Sequence, residues 1–299
     1  MMPRRKLITT SFAGMIMAKT TVVSVRASPT TPPKTGYAPV NGLNLYYEIH
    51  GTGEPLVLLH GGLGSTAMFG EVLPLLAKGR QAIAVDLQGH GRTADIDRPI
   101  RYELIADDIA ALIKFLGFAK TDVMGYSLGG GTALRAAIQH PDKVRKLVVV
   151  STPCKQAGWY PEVVASMKQL TGAAAEMMKP SPIYKTYAAI APKPENFPLL
   201  IDKMGDLLKR DYDWSKEVAA MAAPTMLVFG DADAVRTAHS VEFFELLGGG
   251  KRDAGWDGAG MSTARLAILP GMTHYSIMSS SPLAAAVGPF LDSPMPGGN

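Results

Sequence analysis

Short apolar runs alternate with amphipathic stretches along most of this chain, and the alternation limits the folds that the chain can adopt. A run such as PLVLLH is apolar on both faces, as a strand is when helices cover both sides of its sheet. Strand alternating with helix predicts an α/β fold with a mostly parallel, doubly wound sheet. The predicted strands are 43–49, 55–60, 81–87, 121–126, 146–151, 225–230 and 265–270, and the predicted helices are about 66–78, 102–117, 128–140, 236–247 and 282–291.

One long interval departs from this alternation. Between Pro153 and Trp214 no convincing strand occurs, and Met-rich segments punctuated by proline have helical patterns instead. We interpret this interval as a helical cap inserted into the sheet domain. The predicted organisation is therefore core, cap, core and flexible tail, at 38–152, 153–214, 215–292 and 293–299.

The N-terminal stretch has the layout of an export signal, with a basic start, a modestly apolar middle and the ending VRA before a serine. The pair Arg4-Arg5 is typical of a twin-arginine signal. We therefore predict a signal at 1–27, a linker rich in Pro and Thr at 28–37, and a periplasmic or extracellular location. The apolar middle is too short and too interrupted by polar residues for a membrane span.

The net charge of +4 comes from the predicted signal rather than from the rest of the chain. The first 27 residues hold five basic residues and no acidic one, so their removal lowers the net charge from +4 to −1. No long basic run or pattern of stacking aromatics remains that would indicate a nucleic-acid partner. A single cysteine, Cys154, excludes an intrachain disulfide, and no spacing typical of zinc ligands occurs. We expect no metal and no cofactor.

The segment Gly125-Tyr126-Ser127-Leu128-Gly129 matches the pattern G-x-S-x-G, and it stands where a predicted strand ends and a predicted helix begins. A tight turn at this junction raises the serine hydroxyl above the sheet, and glycines make room because a Cβ would crowd the turn or the neighbouring strand. Ser127 is the candidate nucleophile. The backbone N–H of Leu128, in the first turn of the helix, is a candidate donor to an oxyanion.

A serine nucleophile needs a base and a group that orients the base. His274 follows the last predicted strand, at the edge where parallel strands present their ligands. For the acid, Asp231 and Asp233 both follow the strand 225–230, and we prefer Asp233 because its spacing gives more reach toward the base. No carboxylate follows the strand 146–151 before Glu162, which removes the main alternative position for the acid.

The segment LLHGGLGS follows another predicted strand and places glycines where a backbone can approach a substrate carbonyl. The N–H of Gly62 is the candidate second oxyanion donor. His60 is expected to buttress this loop, and Asp86 and Arg92 are expected to tie neighbouring loops together.

These segments, in this order and at these strand ends, resemble the α/β-hydrolase superfamily, and its capped esterase and lipase-like members in particular. The resemblance covers about residues 38–292. It implies an α/β-hydrolase fold with a Ser-His-Asp triad at Ser127, His274 and Asp233. Epoxide hydrolase-like members carry an aspartate at the position of Ser127, in the turn between strand and helix that is called the nucleophile elbow. A serine there favours acyl chemistry over displacement at carbon.

Substrate choice is predicted to lie in the cap, where apolar and aromatic side chains are abundant. We expect a carboxylic ester hydrolase, a monomer or dimer, that acts on small-molecule esters with small to medium hydrophobic acyl or aryl groups. The same side chains could instead pack the cap onto the core. The candidate substrate-binding residues are Trp159, Tyr160, Met167, Tyr184 and Tyr187.

Three alternatives remain open at this stage. A lactonase or carbon–carbon bond hydrolase would use the same triad. The segment GYSLGGG also resembles the elbow of cofactor-free perhydrolases. A few members of the superfamily are small-molecule receptors with slow turnover, although an exported protein would be separated from intracellular partners.

Overall fold

The computed structural model describes residues 32–295 of the 299-residue chain. The predicted export signal lies outside this range, as do the first part of the predicted linker and the last residues of the predicted tail, so these expectations stay predictions. None of the helices within 32–295 combines the length and the apolar character that crossing a membrane requires.

An eight-stranded sheet forms the centre of the fold and confirms the predicted mostly parallel arrangement. Its strands are β1 (Lys34–Val40), β2 (Leu43–His50), β3 (Glu54–Leu59), β4 (Arg80–Val85), β5 (Thr121–Tyr126), β6 (Val144–Val150), β7 (Thr225–Ala232) and β8 (Arg265–Thr273). Their spatial order is β1-β2-β4-β3-β5-β6-β7-β8, and β2 alone runs opposite to the others. The carboxyl ends of the parallel strands therefore meet at one edge of the sheet.

Helices cover both faces of this sheet, as predicted. The helices are α1 (Val72–Leu76), α2 (Tyr102–Phe115), α3 (Leu128–Gln139), α4 (Pro161–Lys168), α5 (Ala175–Met178), α6 (Pro182–Ile190), α7 (Phe197–Leu208), α8 (Ser215–Ala219), α9 (Thr237–Leu246) and α10 (Ser281–Asp292). Alternate residues of β3 point to opposite faces: Val57 packs in the apolar cluster with α2 and α3, and Leu58 packs in the cluster with α1 and α10. Both faces of the central strands are therefore buried.

The predicted linker extends too far, because β1 already begins at Lys34. This strand lies at the edge of the sheet, where Pro39 is tolerated because an edge strand leaves some N–H positions unpaired. Asn41 and Gly42, both with positive φ (47° and 84°), turn the chain into β2. Only two side chains of β1 are buried, so its sequence lacks the continuous apolar run that marks the central strands.

The single helix predicted at about 66–78 is wrong, since the structure has two shorter pieces there. A 3₁₀ turn spans Thr66–Phe69, and α1 follows as a separate helix. Between them Gly70 has a φ of 45°, in the left-handed region, which ends the first piece.

The interval 153–214 lies between β6 and β7 and is described throughout. It holds α4 to α7 and adds no strand to the sheet, and α8 begins one residue after its end. The two ends of the interval meet, because Lys155 pairs with Asp213 in an isolated bridge and the Trp214 N–H donates to the Cys154 carbonyl at 3.0 Å. The helices are thus inserted at one point of the sheet.

Candidate active site

Ser127 lies in a strained turn between β5 and α3, with φ 52° and ψ −114°. The flanking glycines are required by close backbone contacts. A Cβ on Gly125 would lie 2.0 Å from the Gly129 carbonyl oxygen, and a Cβ on Gly129 would lie 2.2 Å from the carbonyl oxygen of Leu59 in β3. The expected crowding of the turn and of the neighbouring strand is therefore confirmed.

The structure brings the three predicted triad residues together from the ends of three strands. His274 follows β8, and its Nε2 lies 3.2 Å from the Ser127 Oγ. On the other side of the ring, Nδ1 lies 3.1 Å from Oδ1 of Asp233, which follows β7. Asp231 is exposed and makes no such contact. The preference for Asp233 over Asp231 agrees with this geometry.

The Asp233 carboxylate is buried and accepts several hydrogen bonds besides the one from His274. Its Oδ2 accepts from the Ser151 hydroxyl and from the Gly230 N–H at 3.1 Å, and its Oδ1 accepts from the Val235 N–H at 3.3 Å. Burial by itself raises the pKa of this carboxyl group, but the hydrogen bonds from His274 and Ser151 outweigh it, so the net pKa lies below its usual value. Asp233 is therefore ionised at neutral pH.

Tyr126, the residue before the elbow serine, holds the backbone of the His274 loop. Its hydroxyl donates to the His274 carbonyl oxygen at 2.6 Å. Burial, with a further contribution from the charge of Asp233, raises the pKa of Tyr126, so the hydroxyl keeps the proton that it donates. Sequence reasoning missed this residue because the pattern G-x-S-x-G places no requirement on it.

The two candidate oxyanion donors lie on segments that are joined to each other. Leu128 is the first residue of α3, where N–H groups lack partners within the helix. The Gly129 N–H donates to the His60 carbonyl at 3.0 Å, which ties the start of α3 to the loop that carries Gly62. The His60 ring holds this loop: its Nδ1 donates to the Gly61 carbonyl at 2.7 Å, and its Nε2 accepts from the Leu87 N–H at 3.1 Å.

The charged residues after β4 have the expected structural role. The buried Asp86 carboxylate accepts from the Thr66 N–H at 2.7 Å and from the Arg92 N–H at 2.8 Å, so it joins two loops beside the site. Burial raises the pKa of this carboxyl group, and the two backbone hydrogen bonds oppose the shift. Neither Asp86 nor Arg92 is among the residues that line the cavity of Ser127 and His274.

Ser127 and His274 line a cavity of about 360 Å³, and a second cavity of about 220 Å³ shares Met68 and Ile183 with it. The first is lined by Gly61, Gly62, Met68, Tyr126, Ser127, Ile183, His274, Tyr275, Met278 and Ser279. The second is lined by Leu63, Gly64, Ser65, Ala67, Met68, Gly91, Pro182, Ile183, Thr186 and Tyr187. Helix α6 of the inserted interval contributes to both.

Of the five candidate substrate-binding residues, two lie near the site. The Trp159 ring packs edge-on against the His274 ring, with centroids 5.5 Å apart, and Tyr187 lines the second cavity. Tyr160, Met167 and Tyr184 line neither of these two cavities, and their role in substrate binding stays a prediction.

Tyr184 stacks edge-on against Phe197, and Met167 packs against the apolar core. Tyr160 precedes α4 and is exposed. Composition could not tell which side chains of the predicted cap face a cavity. The cavity-lining residues Met68, Ile183, Tyr275 and Met278 carry no sequence signal of their own. Their only indication is that Met68, Tyr275 and Met278 lie in segments that follow the parallel strands β3 and β8.

Across residues 32–295, no group of three or more His, Cys, Asp and Glu side chains is arranged to hold a metal ion. The chemistry available at the site is that of a serine hydroxyl, an imidazole that can accept its proton, and a carboxylate that orients the imidazole.

Several curated proteins are similar to part of this chain. A putative carbamate hydrolase of Caulobacter vibrioides is 39% identical over 113 residues, or 36% of this chain. A 2-hydroxymuconate semialdehyde hydrolase of Pseudomonas sp. is 36% identical over 106 residues, or 34% of this chain. A pimeloyl-[acyl-carrier protein] methyl ester esterase of Neisseria meningitidis is 39% identical over 115 residues, or 38% of this chain. The chain spans only about two fifths of these relatives, at 42%, 38% and 43% of their lengths.

Solved structures share the fold over most of the chain. An E-2-(acetamidomethylene)succinate hydrolase superposes with a TM-score of 0.67 at 20% identity, over 87% of this chain and 100% of that one. A thermophilic esterase from Thermogutta terrifontis gives a TM-score of 0.65 at 20% identity, over 87% and 98%. The family described as the alpha/beta hydrolase fold matches residues 54–240, which is more than half of the chain. The protein therefore belongs to the α/β-hydrolase family.

Proposed function

We propose that the protein is a serine hydrolase that cleaves carboxylic esters with small to medium hydrophobic acyl or aryl groups. One observation carries this proposal: the Ser127 hydroxyl, the His274 ring and the Asp233 carboxylate form a continuous hydrogen-bonded row, with contacts of 3.2 and 3.1 Å, beside a cavity. A serine activated in this way is a nucleophile toward carbonyl carbon. Ser127 is thus the nucleophile, His274 the general base, and Asp233 the group that orients the base.

The reaction proceeds in two acyl transfers. The Ser127 Oγ forms a bond to the ester carbonyl carbon while His274 Nε2 takes the hydroxyl proton, and the carbonyl oxygen becomes an oxyanion. Collapse breaks the bond to the alcohol, which leaves with the proton from His274, and the acyl group stays on Ser127. A water molecule then attacks the acyl carbon as His274 takes its proton, and the acid is released as His274 returns that proton to Ser127.

The oxyanion is stabilised by the N–H groups of Gly62 and Leu128. Leu128 begins α3, so its N–H is also near the positive end of the helix dipole. Each fixed donor of this kind lowers the barrier by about 2.7–4 kcal/mol in enzymes where it has been removed. The hydrogen bonds of the His60 ring keep the Gly62 loop in place before substrate arrives.

The cavities support the proposed size and character of the substrate. Volumes of about 360 and 220 Å³ lie at or below the lower end of the range typical of ligand pockets. Met68 and Ile183, which line both, are apolar, and a hydrophobic acyl or aryl group would remove them from water. Helix α6 acts in this proposal as the part of the cap that limits substrate size.

Carbon–carbon bond hydrolysis is the second candidate function. The similarity to a 2-hydroxymuconate semialdehyde hydrolase favours it, because that protein's name gives a semialdehyde rather than an ester as the substrate. The same triad would serve both reactions. A preference for a dicarbonyl substrate over simple aryl esters would identify this function.

Export remains part of the proposal. The Arg4-Arg5 pair and the VRA ending support a twin-arginine signal at 1–27. N-terminal sequencing of the protein recovered from the host envelope or medium tests it, and an intact Met1 would contradict cleavage.

The deciding experiment is hydrolysis of p-nitrophenyl esters from acetate to palmitate by the wild type, Ser127→Ala and Ser240→Ala. Ser240 is the control, because it is a buried serine whose hydroxyl has no hydrogen-bond partner among the described residues. We expect turnover that peaks at short or medium chains, is lost in Ser127→Ala and is kept in Ser240→Ala. Equal rates for wild type and Ser127→Ala would refute the proposal.

A further inference from the structure

A second serine near the site shares the unusual positive φ of the nucleophile. Ser151 directly follows β6, is fully buried, and has a φ of 52°, identical to the φ of Ser127. Non-glycine residues rarely adopt this left-handed region, and they keep it only where the surrounding structure holds them. The Ser151 N–H donates to the Val228 carbonyl at 2.9 Å, which fixes the turn against β7.

This conformation brings the Ser151 hydroxyl to the acid of the triad. The hydroxyl donates to Oδ2 of Asp233, and the other oxygen, Oδ1, faces Nδ1 of His274 at 3.1 Å. The two carboxylate oxygens therefore have different partners, one on each side. A carboxylate that lost the Ser151 contact would keep only the Gly230 N–H at Oδ2 and would be freer to rotate away from the imidazole.

The same segment also supports the nucleophile. The Ser127 N–H donates to the Val150 carbonyl at 3.1 Å, and the Thr152 hydroxyl donates to the Ser127 carbonyl at 2.9 Å. Ser151 lies between these two contacts in sequence. The end of β6 thus contacts both the serine and the acid of the site, and it stands at the strand end where the sequence lacks a carboxylate.

We propose that Ser151 is a positioning residue of the triad, whose hydroxyl orients the Asp233 carboxylate so that Oδ1 faces His274. This inference rests on the proposed function, because it assigns a role within the same triad. It differs from a purely structural role, in which Ser151 would fill space and join β6 to β7 without affecting His274.

The test compares Ser151→Ala and Ser151→Gly with the control Ser240→Ala. Both Ser151 variants remove the hydroxyl, and glycine also relieves the backbone strain, so Ser151→Gly keeps the test valid if the alanine variant folds poorly. We expect kcat to fall roughly 10- to 100-fold in both variants, the range for a hydrogen bond to a charged group, with KM changed less than about twofold. Ser240→Ala keeps the wild-type kcat.

A spectroscopic measurement separates positioning from folding and needs no substrate. The proton on His274 Nδ1 reports its hydrogen bond to Asp233, and we expect its low-field NMR resonance to shift or broaden in both Ser151 variants and to stay unchanged in Ser240→Ala. An unmoved resonance, or a kcat within about twofold of wild type in both variants, overturns the proposal. If the wild type itself shows no Ser127-dependent ester hydrolysis, the proposed function fails and the resonance alone decides the role of Ser151.

Discussion

Acid should destabilise this protein well above the pH at which carboxylates titrate, because two buried histidines must stay neutral. Burial lowers the pKa of His60 to about 4 and the pKa of His90 to about 3. Their rings lie 5.1 Å apart between centroids. The His60 Nε2 accepts a hydrogen bond from the Leu87 N–H, so a proton on Nε2 would break this bond, which helps to hold the Gly62 loop. Charging either ring would also place a positive charge beside the other.

The size of the effect follows from the difference between folded and unfolded pKa values. An unfolded histidine titrates near 6.5, so below that pH the unfolded chain binds more protons than the folded one and the free energy of unfolding falls. At about pH 5 each histidine lowers the free energy of unfolding by about 2 kcal/mol relative to about pH 8, and the pair lowers it by about 4 kcal/mol. The loss continues until the folded pKa of about 3 is reached. Burial also lowers the pKa of His239, which acts in the same direction.

Urea denaturation at about pH 8, 6 and 5 measures this loss directly. His90→Asn is the informative variant, because an asparagine amide can keep the donor to the Gln88 carbonyl that His90 Nδ1 contacts at 2.8 Å, but it cannot titrate. Between about pH 8 and about pH 5, we expect the free energy of unfolding to fall about half as much in the variant as in the wild type. A wild-type loss below about 1 kcal/mol, or an equal loss in the variant, would refute the reasoning.

Two further predictions concern the triad and the elbow. Asp233→Asn should lower kcat about 10⁴-fold, as loss of the orienting carboxylate does in serine hydrolases. Asp231 is exposed, so Asp231→Asn should keep kcat within about twofold of the wild type. If a steady-state assay gives the reverse order, Asp231 rather than Asp233 orients the base. Gly125→Ala should prevent folding or lower the melting temperature strongly, because its Cβ would lie 2.0 Å from the Gly129 carbonyl oxygen. Gly79→Ala is its control, since nothing lies within 4 Å of that Cβ, and a wild-type melting temperature for Gly125→Ala would contradict the crowding.

Features that depend on local periodicity and on strand ends are predictable from the sequence. The central strands are continuous apolar runs, and parallel strands place their carboxyl ends at one edge, so the sequence alone predicts that Ser127, Asp233 and His274 lie close together. The edge strand β1 is not predictable in this way, because it buries few side chains and contains Pro39. A weakly buried strand has no periodic signal of its own and depends on its partner β2.

Contacts between distant segments required the tertiary structure. Apolar composition marked the interval 153–214 as the region of substrate choice, but only packing decided that Ile183 faces the cavity of Ser127 and that Tyr184 faces Phe197. The direction of a side chain on an inserted helix depends on how that helix packs on strands far away in sequence. Ser151 is the clearest case: no sequence pattern marks it, and its role arises from a φ of 52° and a contact across 82 positions. The sequence by itself determined which strands are followed by candidate catalytic residues. The fold decided which side chains meet at those strand ends, because such contacts arise only when separate segments pack together.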